Sequence, residues 1–335
     1  MKRTLFFTTS LLLTLCVGCQ CERSKLAKIS LTVEVQRFDQ ELQALNPDSL
    51  RQQAPALQQK YGDFFAYYCK GIIDIGLPQD SGFFDNLAAF LGDDIVREAY
   101  KESQRAFPDS KELNAKLTDA FKRYKLHFSD AKIPAVVAYV SGFNQSIMLA
   151  ENVVGVGLDK YLGADCELYP QLGFYKYLTR NMYPAKIPAD VMDALAEAMF
   201  PYVAEQHDEL LGRMLWEGKR LYFARQMLPA EQDTVIFGFT KRELDLCHDN
   251  ESYMWLHLIE NKLLFSTHAF TIANLTGARP FTQEFSREAP GRAANWIGYR
   301  IVDRYMKRNA GVTLPQLMLD NSYRQILEKS GYNPK

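Results

Sequence analysis

Beyond residue 28 the apolar residues of this chain recur at two spacings, and each spacing keeps to its own stretches. Strand-like alternation runs over 29–38, with Ile29, Leu31, Val33 and Val35 on one face and Ser30, Thr32, Glu34 and Gln36 on the other. A second β block covers 135–140, 146–149 and 153–159, with a turn at Ser141-Gly142-Phe143-Asn144. Its strands are apolar almost throughout, which predicts burial on both faces. Elsewhere the spacing predicts helices: 49–73, 86–105 and 111–127 before the β block, then 174–182, 188–205, 208–228, 242–264, 292–309 and 322–330 after it. Thr240-Lys241-Arg242-Glu243 carries the two side chains of a capping box, each positioned to satisfy a free N–H at a helix start. With no internal repeat and no linker-like stretch, residues 29–335 read as one α+β domain, predominantly α-helical with one small β-sheet.

The first 28 residues stand apart from that body. Met1-Lys2-Arg3 precedes an uncharged, mostly apolar run from Leu5 to Gly18. At about 14 residues the run is short of the roughly 20 that cross a bilayer, which is the pattern of a secretory signal peptide. Leu15-Cys16-Val17-Gly18-Cys19 resembles a bacterial lipobox, in which a small residue precedes a cysteine that is acylated and becomes the mature N-terminus. Residues 1–18 therefore read as a lipoprotein signal peptide, Cys19 as the lipidated residue and 19–28 as a polar tether. The other reading is a plain secreted protein. Acyl chains buried at about 0.8 kcal/mol per CH₂ hold a protein on a membrane without any spanning helix. No later apolar run approaches 18 residues.

Cysteine and charge bound the remaining possibilities. Of six cysteines only Cys69, Cys166 and Cys247 lie in the body, so it is no disulfide scaffold and must be held by its core. The formal charge is -1, and removal of Lys2 and Arg3 makes it two units more negative. That balance argues against a nucleic-acid partner, whose phosphates call for a basic surface.

Familiar catalytic patterns are missing from the sequence. There is no Gly-x-Gly-x-x-Gly, no Walker-type loop and no Gly-x-Ser-x-Gly elbow. Gly155-Val156-Gly157 follows a strand, but Lys160 stands where a third glycine would be, so close strand packing is the expected reading. Cys16-Val17-Gly18-Cys19 is the single C-x-x-C and would be cut apart by signal cleavage. None of the five histidines forms His-Glu-x-x-His; His248 with Glu251 and His257 with Glu260 are one helical turn apart and read as surface pairs. Glu217 falls on a stripe with Leu210, Met214, Leu221, Ala224 and Leu228, which points it at the core. There it must find a cationic partner or shift its pKa upward. Glu197, one helix earlier, sits in Ala196-Glu197-Ala198-Met199-Phe200, a His-Glu-x-x-His frame without its histidines.

Several blocks resemble the gliding-motility lipoprotein GldB family of Bacteroidetes. The first is Gly155-Val156-Gly157-Leu158-Asp159-Lys160-Tyr161-Leu162-Gly163, joined by Tyr61-Gly62-Asp63-Phe64-Phe65 and Glu217-Gly218-Lys219-Arg220-Leu221-Tyr222. Later blocks are Gly238-Phe239-Thr240, Met254-Trp255, Pro280-Phe281-Thr282, Pro290-Gly291-Arg292, Trp296-Ile297-Gly298 and Ser330-Gly331-Tyr332-Asn333-Pro334. They follow one another in order along nearly the whole mature chain. The resemblance implies a lipid-anchored envelope protein, facing the periplasm, that works with other motility and type IX secretion proteins. It also implies a distant likeness to zinc peptidases, and so a zincin-like, degenerate metallopeptidase fold. On that reading Glu217 takes the place of a third metal ligand and Glu197 that of the lost motif's glutamate.

The expectation is thus a non-catalytic structural or accessory lipoprotein with no cofactor and no metal, in which Glu197, Glu217 and Asp159 mark a vestigial site. The alternative is a diverged zincin-like metal-dependent hydrolase using Glu217, Asp159, His207 or His257. A solute- or glycan-binding lipoprotein is a third class, suggested by 13% aromatic residues, although these fall at core spacing. Asp48-Ser49-Leu50 and Asp233-Thr234-Val235 resemble an O-glycosylation sequon of Bacteroidetes envelopes, which would place sugars on Ser49 and Thr234.

Overall fold

The computed structural model describes residues 23–335, so the signal peptide and Cys19 lie outside the described residues. One sheet organises them. Strands β1 (Val35–Arg37), β2 (Ala135–Tyr139), β3 (Ile147–Ala150) and β4 (Val153–Gly157) lie in the order β1-β2-β4-β3. β1, β2 and β4 are parallel, with Val35 opposite Val136 and Val136 opposite Val154. β3 returns antiparallel at the edge, with Leu149 opposite Val154.

Because successive side chains point to opposite faces, the apolar run of β2 feeds two cores. Val137 and Tyr139 pack on one side, and Val136 and Ala138 on the other. Burial on both faces is the expected result for such strands, and it is observed. The Gly-x-Gly of β4 is a packing device. A Cβ on Gly155 would sit 2.7 Å from the Tyr139 ring and 3.3 Å from the Phe64 ring, so glycine admits both aromatics.

The Tyr139 side is covered by α1 (Phe38–Gln43), α2 (Leu50–Tyr61), α3 (Asp63–Tyr67) and α4 (Phe83–Gly92). Phe38 is the hub there, with ring centroids 4.9 Å from Tyr61, 5.1 Å from Phe64 and 4.9 Å from Tyr68. α5 (Asp94–Ala106) and α6 (Lys111–His127) follow. The Val136 side carries the larger core, in which α6 meets α7 (Ile187–Met199) and α8 (Leu210–Met227). The chain then adds α9 (Lys241–Asp249), α10 (Glu251–Glu260), α11 (Ala269–Thr276), α12 (Ala293–Arg308), α13 (Leu314–Leu319) and α14 (Tyr323–Ser330). α8 and α12 cross with their backbones in contact at Gly218 and Gly298. This is a mostly helical α+β fold with one four-stranded sheet among the described residues.

Several expected boundaries move, each for a local reason. The strand over 29–38 shrinks to Val35–Arg37, because the N–H groups of Val33 and Val35 go to Thr118 Oγ1 and Asn114 Oδ1 on α6, at 2.9 and 3.0 Å. The helix over 49–73 is cut at Gly62, whose φ of 51° and ψ of -127° suit only glycine. The helix over 86–105 is cut at Asp93, which caps α5 by accepting from the N–H groups of Ile95 and Val96. The 242–264 helix divides at Asn250, 188–205 stops at Met199, and 174–182 reduces to the four-residue helix Lys176–Thr179. Residues 23–27, within the expected tether, are helical, and Leu26 is buried. The capping box at Thr240 and Glu243 forms as read.

Candidate functional site

The chemistry-bearing residues converge where α7 lies against α8. α7 buries Ile187, Val191, Met192 and Leu195 and presents Asp190, Asp193 and Glu197 along another face, spaced three and four residues apart. α8 brings Glu217 and Arg220, one turn apart, to the same junction. The Arg220 side chain is only 10% exposed, so its charge must be met locally. Asp193 grips it with both oxygens, at 3.0 Å to Nε and 2.6 Å to Nη2. Glu197 adds a contact at 2.9 Å and Glu217 one at 3.5 Å, while the guanidinium lies over the Trp216 ring at 4.7 Å.

A cavity of about 420 Å³ opens beside this cluster. It is bounded by α7, α8, the segment after β4 and the start of α12, and Asp190, Asp193 and Glu217 line it. Asp190 is engaged there too: it accepts from Tyr161 Oη at 2.9 Å and pairs with Lys186 Nζ at 3.3 Å. Lys186 is itself anchored on the Val235 carbonyl at 2.6 Å.

Burial pushes the Glu217 carboxyl up to about 7; Arg220 and Arg292 oppose that shift, and Asp193 and Glu197 assist it. A folded pKa above the unfolded value means that this group contributes stability below about 4.5, which is lost as pH rises through about 7. Glu217→Gln is neutral at every pH. It should therefore flatten the fall in unfolding free energy, measured in urea, between pH 5.5 and pH 8, by about 1–2 kcal/mol after allowance for partial exposure. An unchanged slope in the variant would remove Glu217 as its source.

The other expected residues lie elsewhere. Asp159 is fully buried, but it serves the turn after β2: it accepts from the Ser141 N–H at 3.0 Å, the Phe143 N–H at 2.6 Å and the Ser141 hydroxyl. Glu197 is 55% exposed at the side chain and does not line the cavity. Ala196 and Phe200, the ends of its five-residue frame, are in the main core. The α7 carboxylates at the cavity are Asp190 and Asp193, one to two turns earlier. His207 is exposed in the loop before α8, and His257 on α10 meets Phe285 edge-on at 5.8 Å; neither lines the cavity. Ser49 and Thr234 are half-exposed in the short helical segments Pro47–Ser49 and Asp233–Phe237.

The donor set does not fit zinc. Among the described residues no group of three or more His, Cys, Asp or Glu is arranged to hold a metal ion. The carboxylates that do converge hold a guanidinium, with no imidazole or thiolate among them, whereas zinc sites draw mainly on nitrogen and sulfur ligands. Cys69, Cys166 and Cys247 are free thiols, and burial pushes Cys69 and Cys247 up to about 12. Among the described residues no helix is long and apolar enough to cross a membrane.

Sequence reading missed Asp193 and Arg220. The Glu217–Arg220 spacing of one turn was visible, but nothing in it announces which helix lies opposite.

A sequence model of one protein family, described as gliding motility protein GldB, matches residues 20–334. No curated protein and no solved structure matches the chain.

Proposed function

We propose, from the premise that this chain belongs to the gliding motility protein GldB family, that it acts in the cell envelope as a lipid-anchored, non-catalytic accessory protein working through protein contacts. The family is one of gliding-motility-associated lipoproteins, and the chain is matched over nearly its full length. The finer claims are that Cys19 carries the lipid, that the body faces the periplasm, and that its partners belong to the motility and type IX secretion machinery.

The observation that carries the non-catalytic reading is Arg220. An internal cation is held by Asp193, Glu197 and Glu217, so these carboxylates are committed to a structural charge cluster. A degenerate zincin-like origin draws support from the layout: a mixed sheet with an antiparallel edge strand, β3, packed on α7, and α8 bringing Glu217 alongside. Asp190 and Asp193 are the α7 carboxylates that line the cavity beside Glu217. The hydrolase reading draws on one observation, a cavity carboxyl poised near neutrality, which is where a general acid or base operates.

Fractionation tests the anchor. The native chain is expected in the membrane pellet after high-salt washing, and Cys19→Ala in the soluble fraction or as uncleaved precursor. A Cys19→Ala chain that stays in the pellet at its mature size would remove the lipid from the account. Mild cross-linking of cells before solubilisation should trap the protein with other envelope proteins, whereas free monomer alone would contradict a scaffold role.

A further inference from the structure

The cavity beside Arg220 has more positive charge than it needs for itself. Its carboxylates are occupied: Asp193 and Glu217 by Arg220, Asp190 by Lys186 and Tyr161. Arg180 is taken by Glu243 at 2.6 Å. Three other cations line the space without a salt bridge to any carboxylate among the described residues. Lys160 reaches only the Phe143 carbonyl, at 3.3 Å, and lies 4.1 Å over the Phe174 ring. Arg279 reaches only the Ala273 carbonyl, at 3.4 Å. The Arg292 side chain makes no hydrogen bond and no close ion pair among the described residues; its charge reaches Glu217 only through space.

Arg292 is held in place by its backbone. It opens α12 with φ at 65°, and Gly291 before it lies so close to the Arg279 carbonyl that a Cβ would not fit. Trp296, one turn along α12, lines the same cavity, and the half-exposed Phe174 and Tyr177 add aromatic surface. A volume of about 420 Å³ is in the range of small-ligand sites. Excess cation beside aromatic surface calls for an anion on an apolar, ring-bearing body.

We propose that this cavity binds a carboxylate attached to an apolar ring, with the carboxylate on Arg292 and the ring on the Phe174–Tyr177 surface. The free end of a peptide chain that finishes in an aromatic residue and a free aromatic acid share this chemistry. The proposal does not depend on the absence of catalysis.

Calorimetric titration of the full-length protein in detergent at low salt tests it with three probes: N-acetyl-L-phenylalanine, 3-phenylpropanoate and N-acetyl-L-phenylalaninamide. Both acids are expected to bind, and the neutral amide at least about tenfold more weakly. Arg292→Asn suits both the left-handed backbone and the first position of a helix, so it should fold normally and still lose about tenfold in acid affinity. Lys160→Gln should weaken the acids in the same direction. Tighter binding of the acetylated amino acid than of phenylpropanoate would identify a peptide end, and the reverse order a free acid. Equal affinity for acid and amide, native affinity in a folded Arg292→Asn variant, or no binding of either acid would overturn the proposal.

Discussion

Gly298→Ala is expected to destabilise the protein by about 3–5 kcal/mol or to prevent its folding, although alanine is the better helix former by about 1 kcal/mol. The cause is the crossing of α8 and α12. A Cβ on Gly298 would overlap the Met214 carbonyl, and one on Gly218 would lie 2.5 Å from the Tyr299 nitrogen and 2.6 Å from the Gly298 oxygen. Backbone on both sides leaves no flexible side chain to give way, so the helices must separate. Trp296, Ile297, Ile301, Met214 and Leu215, all buried around the crossing, would lose their packing. Gly92→Ala is the control: it ends a helix with nothing within 4 Å and should be neutral or slightly stabilising. Urea unfolding of the two variants gives the comparison. A Gly298→Ala protein as stable as the Gly92→Ala protein would mean that the helices do not meet backbone to backbone.

Asp159→Ala should cost nearly as much, about 3–5 kcal/mol. One buried carboxylate satisfies two N–H groups and a hydroxyl at the end of β2, and with it gone all three lose their acceptor inside the protein. The turn they hold includes Phe143, a non-glycine residue at φ 66° that packs on Tyr169 with ring centroids 6.0 Å apart. Asp159→Asn tests the geometry separately. Its amide oxygen can take the place of Oδ2, which accepts from both N–H groups, but without the carboxylate charge, so it should lose about 1 kcal/mol, less than Asp159→Ala. If Asp159 were a site residue with a minor structural part, both variants would unfold with the native protein.

The central strands were legible in the sequence because both faces are buried and the apolar run is nearly continuous, as at Val136–Tyr139. α8 was legible from its stripe, α9 from its capping box. The breaks at Gly62, Asp93 and Asn250 were not, because each is a single residue inside a pattern that keeps its helical phase on either side. The site was half legible. Glu217 was singled out as a carboxylate needing a cation, and it pairs with Arg220. Which α7 carboxylates reach the cavity was not legible, because only packing shows that Ala196 and Phe200 face the core while Asp190 and Asp193 face the cavity. Asp159 was expected in a vestigial site, and its contacts are with the turn after β2.

In the proposed function Arg220 commits the α7–α8 carboxylates to a structural cluster and the protein does no metal-dependent hydrolysis. Metal analysis of the full-length protein, purified in detergent without chelators, tests this most directly when paired with an assay of peptide hydrolysis on the same sample. The account predicts metal far below one equivalent per chain, and no chelator-sensitive hydrolysis above the level of Glu217→Gln. One zinc per chain, lost together with hydrolysis in Glu217→Gln, would contradict it.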